Sequence, residues 1–162
     1  MNGSPMDILL KPDAVPSCVS GPRVIPYAYR DQVKSQLDEM VATGIIESVS
    51  EPSEWCHPIV IVAKKGTDEK RLTVDFKKLN NQVRRPTHPT RAPRDAVSNI
   101  SGAKYFTKLD ARHGYWQVPL SDDAKPLTTF MTPWGRFRYL HNPQGLISAG
   151  DSTAGLIQHS SN

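Results

Sequence analysis

Apolar residues along the chain change period several times, and each change marks an element. Val33, Leu37, Met40 and Val41 recur at i, i+4, i+7 and i+8, one stripe of a helix predicted from about Tyr29 to Thr43. Gly44 supplies its stop. IIESVSEPSEW then reads as a short extended piece. Two β-rich runs, Ile59–Ala63 and Arg71–Phe76, flank a charged tip carrying Gly66 and Asp68, the pattern of a hairpin with a longer loop. Period two in the second run places Arg71, Thr73 and Asp75 on one face and Leu72, Val74 and Phe76 on the other.

Further along, Pro93–Ile100 reads as a short helix beginning at a proline. Tyr105–Asp110 reads as a strand and Trp116–Leu120 as an extended piece after a tight passage at Gly114. Leu127–Met131 and Phe137–Leu140 form a second hairpin around TPWGR. The first 21 residues are an irregular lead-in punctuated by Pro and Gly, and residues 152–162 are an unpatterned tail expected to fray. The sum is an α+β mixture.

Composition narrows the class. A chain of 162 residues with 38% hydrophobic residues suits one domain of ordinary size, and 14 prolines favour short elements. No apolar run is long enough to span a membrane, and the start lacks the basic-then-apolar design of a signal peptide, so an intracellular protein is expected, cytoplasmic or nuclear. Cys18 and Cys56 form no C-x-x-C pattern and read as reduced, idle thiols.

The net charge of +4 is unevenly placed. Residues 1–63 carry four Lys/Arg against eight Asp/Glu, residues 64–94 ten against three, and residues 95–162 six against five. The basic block is either a solvated face or an electrostatic footprint for phosphates, with Lys77, Lys78, Arg84 and Arg85 as its candidate nucleic-acid contacts.

Candidate chemistry is sparse. Asp110 ends a β-like run, a position that serves either a turn or a Mg²⁺ held against a phosphate. Asp122 and Asp123 are neighbours in a polar loop and read as solvated carboxylates. The five histidines lack zinc-ligand spacing, and no phosphate-loop, zinc-protease or nucleophile-elbow motif occurs; GDSTAG lies in the unpatterned tail.

Taken in order, VIPYAYRDQVKSQLDEMVATGIIESVSEPSEWCHPIVIVAKK, KRLTVDFKKLN, GAKYFTKLDARHGYWQVPL and TTFMTPWGRFRYLHNPQGLISAGD resemble the N-terminal part of the reverse transcriptase of gypsy-like LTR retrotransposons, over about residues 22–151. The resemblance implies a fingers subdomain plus an incomplete palm of a right-hand polymerase. Lys64 and Arg71 would lie near the nucleotide triphosphate, with Lys65 as the substitute for Lys64. Asp110 would be a catalytic residue, the first metal-binding aspartate, and Arg112, His113 and Gly114 would offer backbone groups to the triphosphate. Tyr115 would pack under the sugar and exclude a 2′-hydroxyl. Gln144 and Gly145 would form the nucleotide-site loop; gypsy-like enzymes more often have phenylalanine at the first of these, retroviral enzymes glutamine.

The resemblance also implies Mg²⁺ as cofactor and a primer–template and deoxynucleotide as partners of the parent enzyme. No Tyr-x-Asp-Asp occurs in the sequence, so the second carboxylate pair that two-metal transfer requires is not supplied. The expectation is a truncated domain, inactive alone and partly ordered, unless a separate chain supplies the rest of the palm. A domesticated, non-catalytic nucleic-acid-binding module is the alternative.

Overall fold

The computed structural model describes residues 5–63, 66, 69–84, 104–105 and 114–147. Helix α1 (Arg30–Ala42) follows a 3-10 turn at Tyr27–Tyr29, and helix α2 spans Lys77–Gln82. The strands are β1 (Ile46–Val49), β2 (His57–Ala63), β3 (Lys70–Val74), β4 (Phe130–Thr132) and β5 (Gly135–Tyr139), joined in one sheet of order β1-β5-β4-β2-β3. Among these five described strands only the β2–β4 pairing is parallel.

Alternation decides which face of the sheet is apolar. Ile46 pairs with Tyr139, Phe137 with Phe130, Phe130 with His57, and Ile59 with Val74, so these side chains share one side. Rings run through this layer: Phe130 lies 5.4 Å from Tyr139 and 6.0 Å from Phe137, Phe76 lies 6.2 Å from Tyr139, and His57 sits 5.0 Å from Phe76. On the opposite side Arg138 Nε donates to Glu47 Oε1 at 2.6 Å, a cross-strand ion pair.

α1 covers the apolar side with Val33, Leu37 and Met40, all buried; Val41, expected in the same stripe, is 41% exposed. At about 1.5 Å per residue the helix is roughly 20 Å long, and five strands at about 4.8 Å spacing span roughly 19 Å. Its N-terminal half bonds edge strand β3 and its C-terminus feeds edge strand β1, so it lies across the sheet from one edge to the other. The β3 contact also protects an open edge. The Gln36 amide donates to the Lys70 carbonyl at 2.6 Å, and its oxygen accepts the Leu72 N–H at 3.0 Å, as a neighbouring strand would do.

The helix ends as Gly44 predicts. Gly44 takes φ +70°, its N–H donates to Val41 O at 3.0 Å, and the Ile45 N–H donates to Met40 O at 2.9 Å, the double bond of a Schellman stop. The second hairpin is confirmed with a later start. Lys125–Thr128 is a 3-10 turn rather than strand, and β4 begins at Phe130. Pro126 stands at the start of that turn, and the Thr128 hydroxyl is occupied accepting the Tyr139 N–H at 3.1 Å, which favours a turn over a ladder. Trp116–Leu120 is likewise not extended throughout: Gly114–Gln117 is 3-10, and only Pro119 and Leu120 make β-bridges.

The lead-in, although irregular, is stitched into the core. Met6 and Ile8 are buried, and isolated bridges join Met6 to Leu120, Leu10 to Val83 and Cys18 to Cys56. The helix expected at Pro93–Ile100, most of the strand expected at Tyr105–Asp110 and the tail lie outside the described residues.

His57 gives this core a pH dependence. Its Nε2 is 2.9 Å from the Leu127 carbonyl oxygen, which makes Nε2 the donating nitrogen of a neutral ring, and burial holds its pKa below 6.5. The unfolded chain therefore takes up the proton first as pH falls. The stabilisation is fully present above pH 6.5 and is lost as pH drops from there through the folded pKa. A urea midpoint that falls between about pH 7.5 and 5.5, with a smaller fall in His57→Gln, is the expected result; equal falls would remove His57 from the account.

Candidate nucleotide and nucleic-acid interface

The basic segment folds as an edge strand followed by a short helix. On β3 the alternation holds: Leu72 and Val74 are buried, Arg71 is exposed, and the Thr73 hydroxyl donates to Val60 O at 3.0 Å. Phe76 then turns the chain into α2, and Asp75 Oδ1 accepts the Lys77 N–H at 3.2 Å. Arg23 also approaches Asp75, at 3.8 Å.

α2 is held by what it buries. Phe76, Leu79 and Val83 are 2%, 0% and 5% exposed, whereas Lys77, Lys78 and Arg84 all face solvent. Arg84 lies at the far end of the helix, where its N–H donates to Leu9 O at 2.7 Å. Pattern reading did not find α2. Six residues are too few for a helical stripe to register, and the Asn80–Asn81 pair argues against a helix on propensity.

Asn80 is the residue that sequence reasoning missed. Its amide nitrogen donates to Gly145 O at 2.8 Å and its oxygen accepts the Ile147 N–H at 2.9 Å. One side chain thus ties the C-terminal side of the turn carrying Gln144 and Gly145 to α2. That turn needs glycine, because Gly145 has φ +92°. Leu146, 4% exposed, anchors it, and Gln144 and Gly145 stay exposed beside α2. The sequence offers no more of a signal than polar Asn80 next to apolar Leu79.

Gly114 and Tyr115 reach the same region from another direction. They open the 3-10 turn, Tyr115 packs half-buried against the core, and the chain continues into a segment where the Asn142 N–H donates to Val118 O at 2.8 Å. The fold thus joins α2, the 144–145 turn and the 114–120 segment through Asn80 and the Val118–Asn142 bond. Arg71 stands on the adjoining strand, and Arg84 is set apart at the other end of α2.

Lys64, Lys65, Arg85, Asp110, Arg112 and His113 lie outside the described residues. Among the described residues no group of three His, Cys, Asp or Glu could hold a metal ion. Asp122 is exposed and bonded to Lys125 Nζ at 2.6 Å; that hydrogen bond, with the lysine charge, holds its pKa below the usual carboxylate value. Asp123 is exposed in the same loop.

A family model described as reverse transcriptase (RNA-dependent DNA polymerase) matches residues 62–158. The chain is 35% identical over 128 residues to the retrovirus-related Pol polyprotein from transposon opus of Drosophila melanogaster, covering 76% of this chain and 13% of that protein. It is 32% identical over 124 residues to the corresponding polyprotein from transposon gypsy of the same fly, covering 74% and 12%. The chain thus spans about an eighth of the length of these relatives. Among solved structures, a foamy viral protease-reverse transcriptase in complex with double-stranded DNA superposes with a TM-score of 0.74 at 17% identity, over 96% of this chain and 26% of that one. That likeness establishes a mixed α/β fold of fingers and partial palm type. With a family match over more than half of its length and a retrotransposon relative at 35% identity, the chain belongs to the reverse transcriptase family.

Proposed function

We propose that this chain is the nucleotide- and template-facing portion of a gypsy-like retrotransposon reverse transcriptase, residues 22–151 forming the fingers and the start of the palm. The observation that carries the reading is the Asn80 clamp, which sets the Gln144–Gly145 turn beside a helix whose Lys77 and Lys78 are exposed. Phosphoryl transfer depends on positioning and on positive charge around the phosphate oxygens more than on covalent help. Arg71, with Lys64 or Lys65, would meet the triphosphate of a deoxynucleotide, Tyr115 would pack under its sugar, and Gln144 would bond to it. Lys77, Lys78, Arg84 and Arg85 would follow template phosphates.

Divalent metal ions belong to this family's chemistry. The described residues do not form a centre for them, and Mg²⁺ at Asp110, outside those residues, is a proposal for the longer polyprotein. The 162-residue chain contains no Tyr-x-Asp-Asp, and alone it should bind primer–template without extending it. Anisotropy of a labelled RNA/DNA primer–template, beside a Mg²⁺–dNTP extension assay, tests both parts. Binding that exceeds that of an equally charged polyanion, with no extension, is the expected result. Equal binding of primer–template and polyanion would overturn the interface, and extension abolished by Asp110→Asn would overturn the incompleteness.

A further inference from the structure

Two cysteines that lie far apart in sequence face each other in the fold. Cys18 on the lead-in and Cys56 at the entry to β2 form a parallel bridge, in which the Cys56 N–H donates to Ser17 O and the Val19 N–H to Cys56 O, both at 3.0 Å. Backbones paired in this way run about 4.8 Å apart, inside the roughly 4.4–6.8 Å window over which a disulfide closes. Both thiols are free, and the Cys18 thiol donates to the neighbouring Val19 O at 3.5 Å. Their settings differ: Cys18 is exposed, whereas Cys56 is 1% exposed.

We infer that Cys18 and Cys56 form a reversible disulfide with low-molecular-weight disulfides such as glutathione disulfide, latching the lead-in to β2. The exposed Cys18 thiolate attacks one sulfur of glutathione disulfide, forming a mixed disulfide and expelling one glutathione thiolate. The Cys56 thiolate then attacks the Cys18 sulfur and expels the second glutathione. Two protein thiols lose two electrons, one glutathione disulfide becomes two glutathiones, and the two cysteine protons pass to the expelled thiolates.

Burial, reinforced by Cys18, pushes the Cys56 thiol up to about 11, which keeps it the resolving rather than the attacking sulfur near neutrality. Pairing of the bridge, not proximity in sequence, holds the second sulfur ready. The closed loop would enclose α1 and β1 and tie both to the first residues of β2.

The test is intact-mass analysis and peptide mapping of the folded 162-residue chain after incubation with glutathione disulfide, followed by a urea titration. The wild type should lose two hydrogens and yield a peptide joining Cys18 to Cys56. Cys56→Ser should carry one glutathione, and Cys18→Ser should stay unmodified. The wild-type urea midpoint should rise on oxidation and return to its starting value after reduction, which keeps the test independent of how the variants fold. A wild type that stays unmodified, retains a glutathione on Cys18, or links only between chains would overturn the inference.

Discussion

Phe130→Ala should cost about 3–5 kcal/mol, a large share of the roughly 5–15 kcal/mol that holds a domain of this kind folded. Phe130 is fully buried on the three-residue strand β4, whose neighbours are β2 on one side and β5 on the other. Its ring meets Phe137 and Tyr139, and its backbone stands opposite His57. Removing it leaves a cavity at the seam between the two hairpins, and a strand this short has little else to keep it in register. With a urea m-value of about 2 kcal/mol per M, the midpoint should fall by roughly 1.5–2.5 M. Phe130→Leu, which keeps most of the volume, should cost less than about 2 kcal/mol. Far-UV circular dichroism and Trp fluorescence should move together if the two hairpins share one core. A shift below about 0.5 M for the alanine variant would mean that the second hairpin is not docked as described.

Replacing Lys77 and Lys78 together by alanine should weaken primer–template binding with little effect on folding. Both side chains are exposed, α2 is held by Leu79 beneath them, and alanine is a good helix former. Each phosphate contact contributes about 0.9 to the slope of log K against log salt on a duplex, so losing two should reduce the slope by about 1.8 and the affinity by about 60-fold near 0.1 M salt. The loss should shrink at high salt and apply equally to unrelated sequences, because phosphate contacts position a nucleic acid without reading it. An unchanged slope would move the phosphate path away from α2, toward Arg84 or the hairpin tip. This result bears directly on the proposed interface, since Lys77 and Lys78 are exposed on the same helix whose Asn80 holds the Gln144–Gly145 turn.

Much of this arrangement is legible in the sequence itself. Periodicity alone located α1, its stop at Gly44, the β2–β3 hairpin with its apolar and cationic faces, and the β4–β5 hairpin around TPWGR, because those features are set by contacts a few residues apart. The ordered run of motifs then identified the reverse transcriptase family, as the family match bears out. Other features were decided only in three dimensions. Val41 continues the stripe of α1 yet is exposed, since a helix crossing a sheet presents a limited arc to it. Residues 125–128 turn where their apolar neighbours suggested strand. The Leu127 N–H donates to Ala124 O and the Thr128 hydroxyl to Lys125 O, while distant Tyr139 and His57 bond to Thr128 and Leu127. Met6 and Ile8 belong to the core because distant segments pair with them, and no local pattern announces that. The same holds for Asn80 on the Gln144–Gly145 turn and for Cys18 opposite Cys56: each joins positions more than 35 residues apart, and only chain closure through the sheet brings such groups within bonding distance. Sequence by itself determined the elements and the family; tertiary structure decided which side chains meet, because burial and hydrogen bonding are settled by whichever surface arrives from elsewhere in the chain.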